Sequence, residues 1–151
     1  RTPSSAASDV YKRQVLWLDA VERKYIEEVG SMNIFFVIDD EIVTPQLNGT
    51  ILPGITRKSV LELARHWDLK TSERRISIDE VLEGLESGRV SEVFGAGTAA
   101  VISPVGLLHY RGQSSQVGDG QTGPVAKRFF QHLTAIQYGR ENDPFGWVET
   151  V

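Results

Sequence analysis

The sequence predicts an α/β domain, and three observations carry that expectation. Met32, Ile34, Phe36 and Ile38 fall on one face of a strand and Phe35 and Val37 on the other, so a run apolar on both faces should lie centrally in a sheet. Apolar residues recur at helical spacing in three later segments, through Val60, Leu61, Ala64 and Trp67, through Val81, Leu82 and Leu85, and through Val125, Phe129, Leu133 and Ile136. Short apolar runs with turn signals lie between those segments and read as further strands.

With 151 residues and 40% hydrophobic content, the chain can bury one core and reads as one compact domain. A net charge of −4, with no basic run interleaved with aromatics, argues against a nucleic-acid surface. Cysteine is absent, which excludes disulfide scaffolds, thiolate nucleophiles and Cys-bound zinc, and is compatible with a cytoplasmic setting. No apolar run approaches the roughly 20 residues that span a bilayer, so no membrane partner is expected. Residues 1–14, RTPSSAASDVYKRQ, are small, polar and aperiodic, and are expected to be a non-native or disordered tail; the domain proper is residues 15–151.

In chain order, Val15-Leu16-Trp17-Leu18 suits a short buried strand, and the polar residues 19–27 separate it from the central one. Asp39-Asp40 turns the central strand into a second, Glu41 to Thr44, which Pro45 stops. Asn48-Gly49 and Pro53-Gly54 are turn signals, and a helix begins close to Gly54–Thr56. Ser77 and Glu80 have the spacing of a capping box for the next helix, which Gly88 ends. Val90 to Phe94 reads as a strand, Gly95 to Ala100 as a small-residue loop, and Val101 to Val105 as another strand. Leu107 to Tyr110 is a further strand, residues 111–121 a polar connection, and Pro124 opens the last helix, with Lys127, Arg128 and Gln131 on its solvated side and Gly139 at its close.

Three features could carry chemistry. Glu28 precedes the Gly30-Ser31 turn into the central strand, near the mouth of a core, where a carboxylate needs a cationic or hydrogen-bonding partner. The helix starting near Gly54 presents unpaired backbone N–H groups and the positive end of its dipole, which suits a phosphate or carboxylate as well as it suits plain capping. The loop Gly95-Ala96-Gly97-Thr98-Ala99-Ala100 lets backbone donors approach a ligand and adds the Thr98 hydroxyl, although a tight bend between strands would explain it equally. That loop is no dinucleotide fingerprint, since the third glycine and the following helix are missing. His66, His109 and His132 lack zinc-helix spacing, and no Gly-x-Ser-x-Gly elbow occurs, so neither a metal nor a serine nucleophile is expected. An acid for a protonated ring nitrogen together with backbone donors for a phosphate is what pyridoxal phosphate requires of a protein.

The runs VLWLDAVERKYIEEVGSMNIFFV, LNGTILPGITRKSVLELA and EVFGAGTAAVISPVG resemble the C-terminal half of a branched-chain amino-acid aminotransferase, and the similarity extends over nearly all of residues 15–151. The resemblance implies the fold shared with D-amino-acid aminotransferase (fold type IV of pyridoxal-phosphate enzymes), with a partly barrel-like mixed sheet flanked by helices. It also implies a homodimer that transfers the amino group of leucine, isoleucine or valine to 2-oxoglutarate, with branched-chain amino acids and 2-oxo acids as its small-molecule partners. Carried onto this sequence, it implies that Glu28 pairs with the pyridine nitrogen and that Ser31 stands where the family often has threonine. Ile55 and Thr56 would hold the phosphate through backbone N–H groups, with Gly54 and Gly97 keeping the approaches open. Thr98 would add its hydroxyl to the phosphate, and Thr98, Ala99 and Ala100 would supply backbone donors to the substrate α-carboxylate. The Cys-x-x-Cys pair of some animal members is replaced by Ala100-Val101-Ile102-Ser103, so that redox switch is not implied.

The family's Schiff-base lysine lies upstream of the motif that begins at Val15, and none of Lys12, Lys24, Lys58, Lys70 or Lys127 matches it. The chain therefore resembles a fragment without a catalytic residue of its own, expected to be inactive alone. Two alternatives remain at this level: D-amino-acid aminotransferase or aminodeoxychorismate lyase of the same fold, and a non-catalytic anion-binding or dimerisation module.

Overall fold

The computed structural model describes residues 14–148, so the expected tail lies, except for Gln14, outside the described residues. Nine strands and three helices form among the described residues. The central strand is β3 (Met32–Ile38), and every one of its residues is buried, as expected of a strand apolar on both faces. One edge of β3 pairs with β2 (Ile26–Val29) near its start and with β4 (Glu41–Pro45) near its end; the other edge pairs with β6 (Val90–Gly97). Beyond these lie β1 (Leu16–Leu18) on β2, β5 (Thr71–Arg74) on β4 and β7 (Val101–Pro104) on β6. All neighbours are antiparallel except β4 and β5. A parallel pair needs a crossover, and α1 (Ile55–His66) lies in the connection that supplies it. This mixed sheet does not close into a barrel among the described residues.

The two faces of the sheet bury different layers. Phe35, Val37, Phe94 and Ile102 pack with Val60, Leu61 and Ala64 of α1 and with Ala126, Phe129 and Leu133 of α3 (Pro124–Gln137). Phe35 and Phe94, directly opposed in register, stack with centroids 5.4 Å apart. On the other face Ile34, Phe36 and Val93 meet Ile78 and Val81 of α2 (Ile78–Ser87) and Leu108 and Val117 of a separate hairpin, β8 (Leu107–Tyr110) and β9 (Gln113–Gln116). The helical stripes read from the sequence are thus the surfaces that cover the sheet.

Local chemistry explains where the reading and the structure agree and where they part. Asp39 and Asp40 turn β3 into β4 with φ of 49° and 62°, the left-handed backbone that a two-residue hairpin demands and aspartate tolerates. The run Leu16–Leu18 is not a buried strand but a half-exposed sheet edge, and the polar stretch after it already contains the start of β2. Strand β6 continues through Gly95, Ala96 and Gly97, so the small-residue loop shrinks to a turn at Thr98–Ala100. Small residues are needed inside that strand because a Cβ at Gly95 or Gly97 would press on the Met32 side chain. The polar connection after Tyr110 contains β9, reached through Arg111 and Gly112 at φ 49° and 78°. Only half of the capping box forms: Ser77 Oγ accepts from Glu80 N–H at 3.1 Å, while the Glu80 carboxylate turns to both terminal nitrogens of Arg74, at 2.8 and 2.6 Å. That fork ties α2 to β5 and holds the Glu80 carboxyl below the usual carboxylate range. On α3, Arg128 lies over the Trp67 ring at 3.8 Å, so this solvated cation also covers an aromatic face.

The β1–β2 connection is wound around one acid. Asp19 accepts from the backbone N–H groups of Glu22, Lys24 and Tyr25 at 2.6, 2.9 and 2.8 Å, and these donors hold its carboxyl down to about 2. A depressed carboxylate contributes stability that is present above its ordinary value and lost as pH falls through the folded one. Asp19→Asn is therefore expected to lower the melting temperature at neutral pH and to flatten its fall between about pH 4 and 2. Parallel melting curves for the two proteins over that window would contradict this.

Candidate functional site

The acid, the amide and the small-residue strand singled out in the sequence stand in one row across the sheet. Register places Glu28 of β2 opposite Asn33 of β3, and Asn33 opposite Ala96 of β6. Directly opposed residues share a face, so Glu28 and Asn33 project from the α1 and α3 side. Two residues beyond Ala96 the chain enters the Thr98–Ala100 turn, whose residues are exposed. Val101 then enters β7 with φ of 58°, a backbone region that β-branched residues rarely occupy and that carries a cost of about 1–3 kcal/mol.

The partner that Glu28 required is a backbone donor. Its Oε1 accepts from Leu52 N–H at 2.9 Å, directly before the Pro53-Gly54 turn. Asn33, itself buried, donates from Nδ2 to Leu52 C=O at 2.8 Å. Gly54 N–H closes on the same carbonyl at 2.9 Å, and Gly54 is the N-cap of α1. Next to it, Thr50 Oγ1 donates to Glu27 Oε1 at 2.8 Å, a second tie between this loop and β2.

From Gly54 onward the chain presents donors. No side chain caps α1, its first turn contains no acid, and Lys58 N–H is the donor that returns to Gly54 C=O. The N–H groups of Ile55, Thr56 and Arg57 precede that first helical bond and have no partner within the helix. With the helix dipole behind them, they form a concentrated positive end suited to an anion. Ile55 turns its own side chain outward, 84% exposed. Arg57 points inward, where its terminal nitrogen donates to Pro45 C=O at 3.1 Å and Glu73 Oε1 at 2.7 Å while Nε has no partner. Its charge is thus committed to fastening α1 against β4 and β5.

Each residue singled out from the sequence can therefore be placed. Glu28, Gly54, Ile55 and Thr56 belong to one continuous patch through Leu52. Gly97 lies against Met32 at the same end of the sheet, with Thr98, Ala99 and Ala100 following it. Ser31 is exposed in the two-residue turn between β2 and β3. The sequence reading did not assign roles to Asn33, Leu52 or Glu92. Asn33 was visible as an amide on an apolar strand, whereas the Leu52 backbone carries no signal in its side chain. Among the described residues no group of three His, Cys, Asp or Glu side chains is placed to hold a metal ion. No described helix is long and apolar enough to cross a membrane.

Comparison with known proteins matches residues 4–108 to the family described as amino-transferase class IV. The chain belongs to the class IV aminotransferases. Among relatives of this class, branched-chain-amino-acid aminotransferase 2 of Bacillus subtilis (strain 168) is 56% identical over 138 residues, which cover 91% of this chain and 38% of the relative. Branched-chain-amino-acid transaminase 1 of the same organism is 53% identical over 145 residues, covering 96% of this chain and 41% of the relative. The chain thus spans about two fifths of the length of these curated relatives. The crystal structure of the Escherichia coli branched-chain amino acid aminotransferase superposes with a TM-score of 0.76 at 35% identity, covering 91% of this chain and 41% of that one. A second branched-chain amino acid aminotransferase, solved in complex with N-(5'-phosphopyridoxyl)-L-glutamate and labelled T.th. for its source, superposes with a TM-score of 0.75 at 32% identity, covering 90% and 42%. The resemblance to branched-chain aminotransferases and the α/β class are both borne out.

Proposed function

We propose that this chain is the C-terminal part, over residues 15–151, of a pyridoxal-phosphate-dependent branched-chain aminotransferase. The parent enzyme passes the amino group of leucine, isoleucine or valine to 2-oxoglutarate, works as a homodimer and resides in the cytoplasm. The observation that carries this reading is the junction at Leu52, where the carboxylate of Glu28 abuts the turn whose open helix end suits a phosphate. An acid beside a patch of backbone donors is the donor and acceptor set this cofactor requires, and the 53–56% identity to branched-chain enzymes supports the substrate class.

Bound there, pyridoxal phosphate supplies the reactive carbonyl and an electron-withdrawing ring. Glu28 keeps the ring nitrogen protonated by offering it a carboxylate oxygen, while Leu52 N–H fixes the orientation of that carboxylate. Gly54, Ile55 and Thr56 hold the phosphate through the first turn of α1, joined by the Thr98 hydroxyl. Ser31 borders this group from the β2–β3 turn, and Gly97 keeps the β6 end free of bulk. Backbone N–H groups of Thr98, Ala99 and Ala100 orient the substrate α-carboxylate.

The proton-carrying lysine belongs to a segment outside these 151 residues, so the chain alone does not turn over. Incubated with pyridoxal phosphate, leucine and 2-oxoglutarate, the purified chain is expected to form no glutamate and to retain no cofactor after borohydride reduction. A longer protein with the lysine-bearing segment in place should do both. Glutamate formation by the 151-residue chain would overturn the assignment of the lysine to another segment.

A further inference from the structure

The Leu52 backbone is held at both of its polar atoms by two side chains that face each other across neighbouring strands. Glu28 accepts from its N–H at 2.9 Å and Asn33 donates to its C=O at 2.8 Å. Asn33 also occupies the space beside Gly54, where a Cβ would collide with Asn33 Oδ1. The amide therefore contacts both ends of the Leu52–Gly54 segment, with Nδ2 bonded to the carbonyl and Oδ1 packed on the N-cap glycine of α1. Its position is determinate because β3 is buried throughout and Asn33 is only 6% exposed. A buried amide whose donor is used for one loop carbonyl, on an otherwise apolar strand, is costly unless that loop must be held.

We propose that Asn33 is a positioning residue which, with Glu28, clamps the Leu52 peptide and so sets the spacing between the acid and the donor turn of α1. The inference rests on the functional reading above, which assigns the ring nitrogen to Glu28 and the phosphate to that turn. Glu28 and the turn are two ends of one rigid ligand site, and an error in their separation weakens the hold on both ends together. The clamp removes that error because both ends are anchored to the same peptide. It also accounts for Gly54: glycine is required there by the approach of the Asn33 amide, since no positive φ demands it.

The test uses the lysine-bearing holoenzyme and its Asn33→Ala, Asn33→Asp, Gly54→Ala and Asn33→Ala/Gly54→Ala forms. The readouts are the dissociation constant of pyridoxamine 5′-phosphate, the pH titration of the visible absorption of bound pyridoxal phosphate, and the melting temperature of the cofactor-free protein. Loss of one hydrogen bond predicts a dissociation constant raised roughly three- to tenfold in Asn33→Ala. The near-isosteric Asn33→Asp, which fills the same space without the donor, should show the same direction and serves if the alanine form does not fold. The absorption titration should shift in both, because Glu28 loses its fixed setting. Gly54→Ala should weaken binding in the Asn33 background and have little further effect in the Asn33→Ala background. Lowered melting temperatures with unchanged dissociation constants and an unchanged absorption titration would overturn the clamp. If the unsubstituted protein binds neither cofactor form, the functional reading falls and the clamp with it.

Discussion

Glu28→Ala is expected to lower turnover of the lysine-bearing enzyme by about 10²–10³-fold, the scale on which removing one preorganised electrostatic group acts. Among the described residues this carboxylate is the one acid joined to the donor turn by a hydrogen bond to Leu52, so no neighbouring side chain is placed to replace it there. Glu28→Gln separates its two duties. The amide oxygen can still accept from Leu52 N–H, whereas the negative charge that keeps a ring nitrogen protonated is gone. Turnover should therefore fall in both variants, while pyridoxamine 5′-phosphate should bind more tightly to the glutamine form than to the alanine form. Near-normal turnover in Glu28→Gln would show that the charge is not what the site uses.

The second large effect concerns stability and lies on the opposite side of the fold's logic, in a residue with no proposed contact to cofactor or substrate. Glu92 on β6 is only 6% exposed, and its two carboxylate oxygens accept from Val125 N–H at 2.9 Å and Ala126 N–H at 3.0 Å. Pro124 stands at the first position of α3 and has no N–H, and the N-cap Gly123 offers no side chain, so Glu92 caps this helix from a strand 33 residues earlier. Its charge also sits at the positive end of the helix dipole. Gly123 is glycine because a Cβ would overlap that carboxylate. Glu92→Ala leaves the first-turn donors without a partner in the interior and is expected to cost about 2–5 kcal/mol, a charge-assisted bond plus an unsatisfied buried group. Urea-induced unfolding measures it. A loss below about 0.5 kcal/mol, the range of ordinary surface substitutions, would mean that water or another acceptor takes over the cap. Because β6 leads directly into Gly97 and Thr98, loosening its tie to α3 should also weaken substrate more than cofactor binding.

Much of this was legible in the residues. The alternation-free apolar run of β3 could only be central, the helical stripes had to cover a sheet, and Asp39-Asp40, Pro45, Gly88 and Pro124 each mark the element end at which they stand. Glu28 and the Gly54–Thr56 helix start were visible as chemistry because a carboxylate at a core's edge and an uncapped helix end both need an explanation. What escaped was pairing that depends on neighbours far along the chain. Strands β2 and β5 lie in polar sequence, and each is a strand because an adjacent strand supplies its hydrogen bonds. Glu80 has the spacing of a capping box, yet a bidentate arginine on β5 outcompetes the single N–H behind it. Gly95 to Gly97 look like a loop because small residues favour bends, and become strand because Met32 leaves no room for larger ones.

By itself, then, the sequence determined the α/β class, the central strand, the three covering helices and the kind of chemistry Glu28 and the helix start could perform. Those properties follow from side-chain type and periodicity, which are local. Only the tertiary structure decided that Glu28 and Asn33 grip one peptide, that Arg57 is spent on fastening α1, and that Glu92 caps a helix 33 residues away. In each of these contacts at least one partner is a backbone N–H or C=O, which every non-proline residue carries alike, so its address is set by the packing of strands and helices and not by the letter at that position.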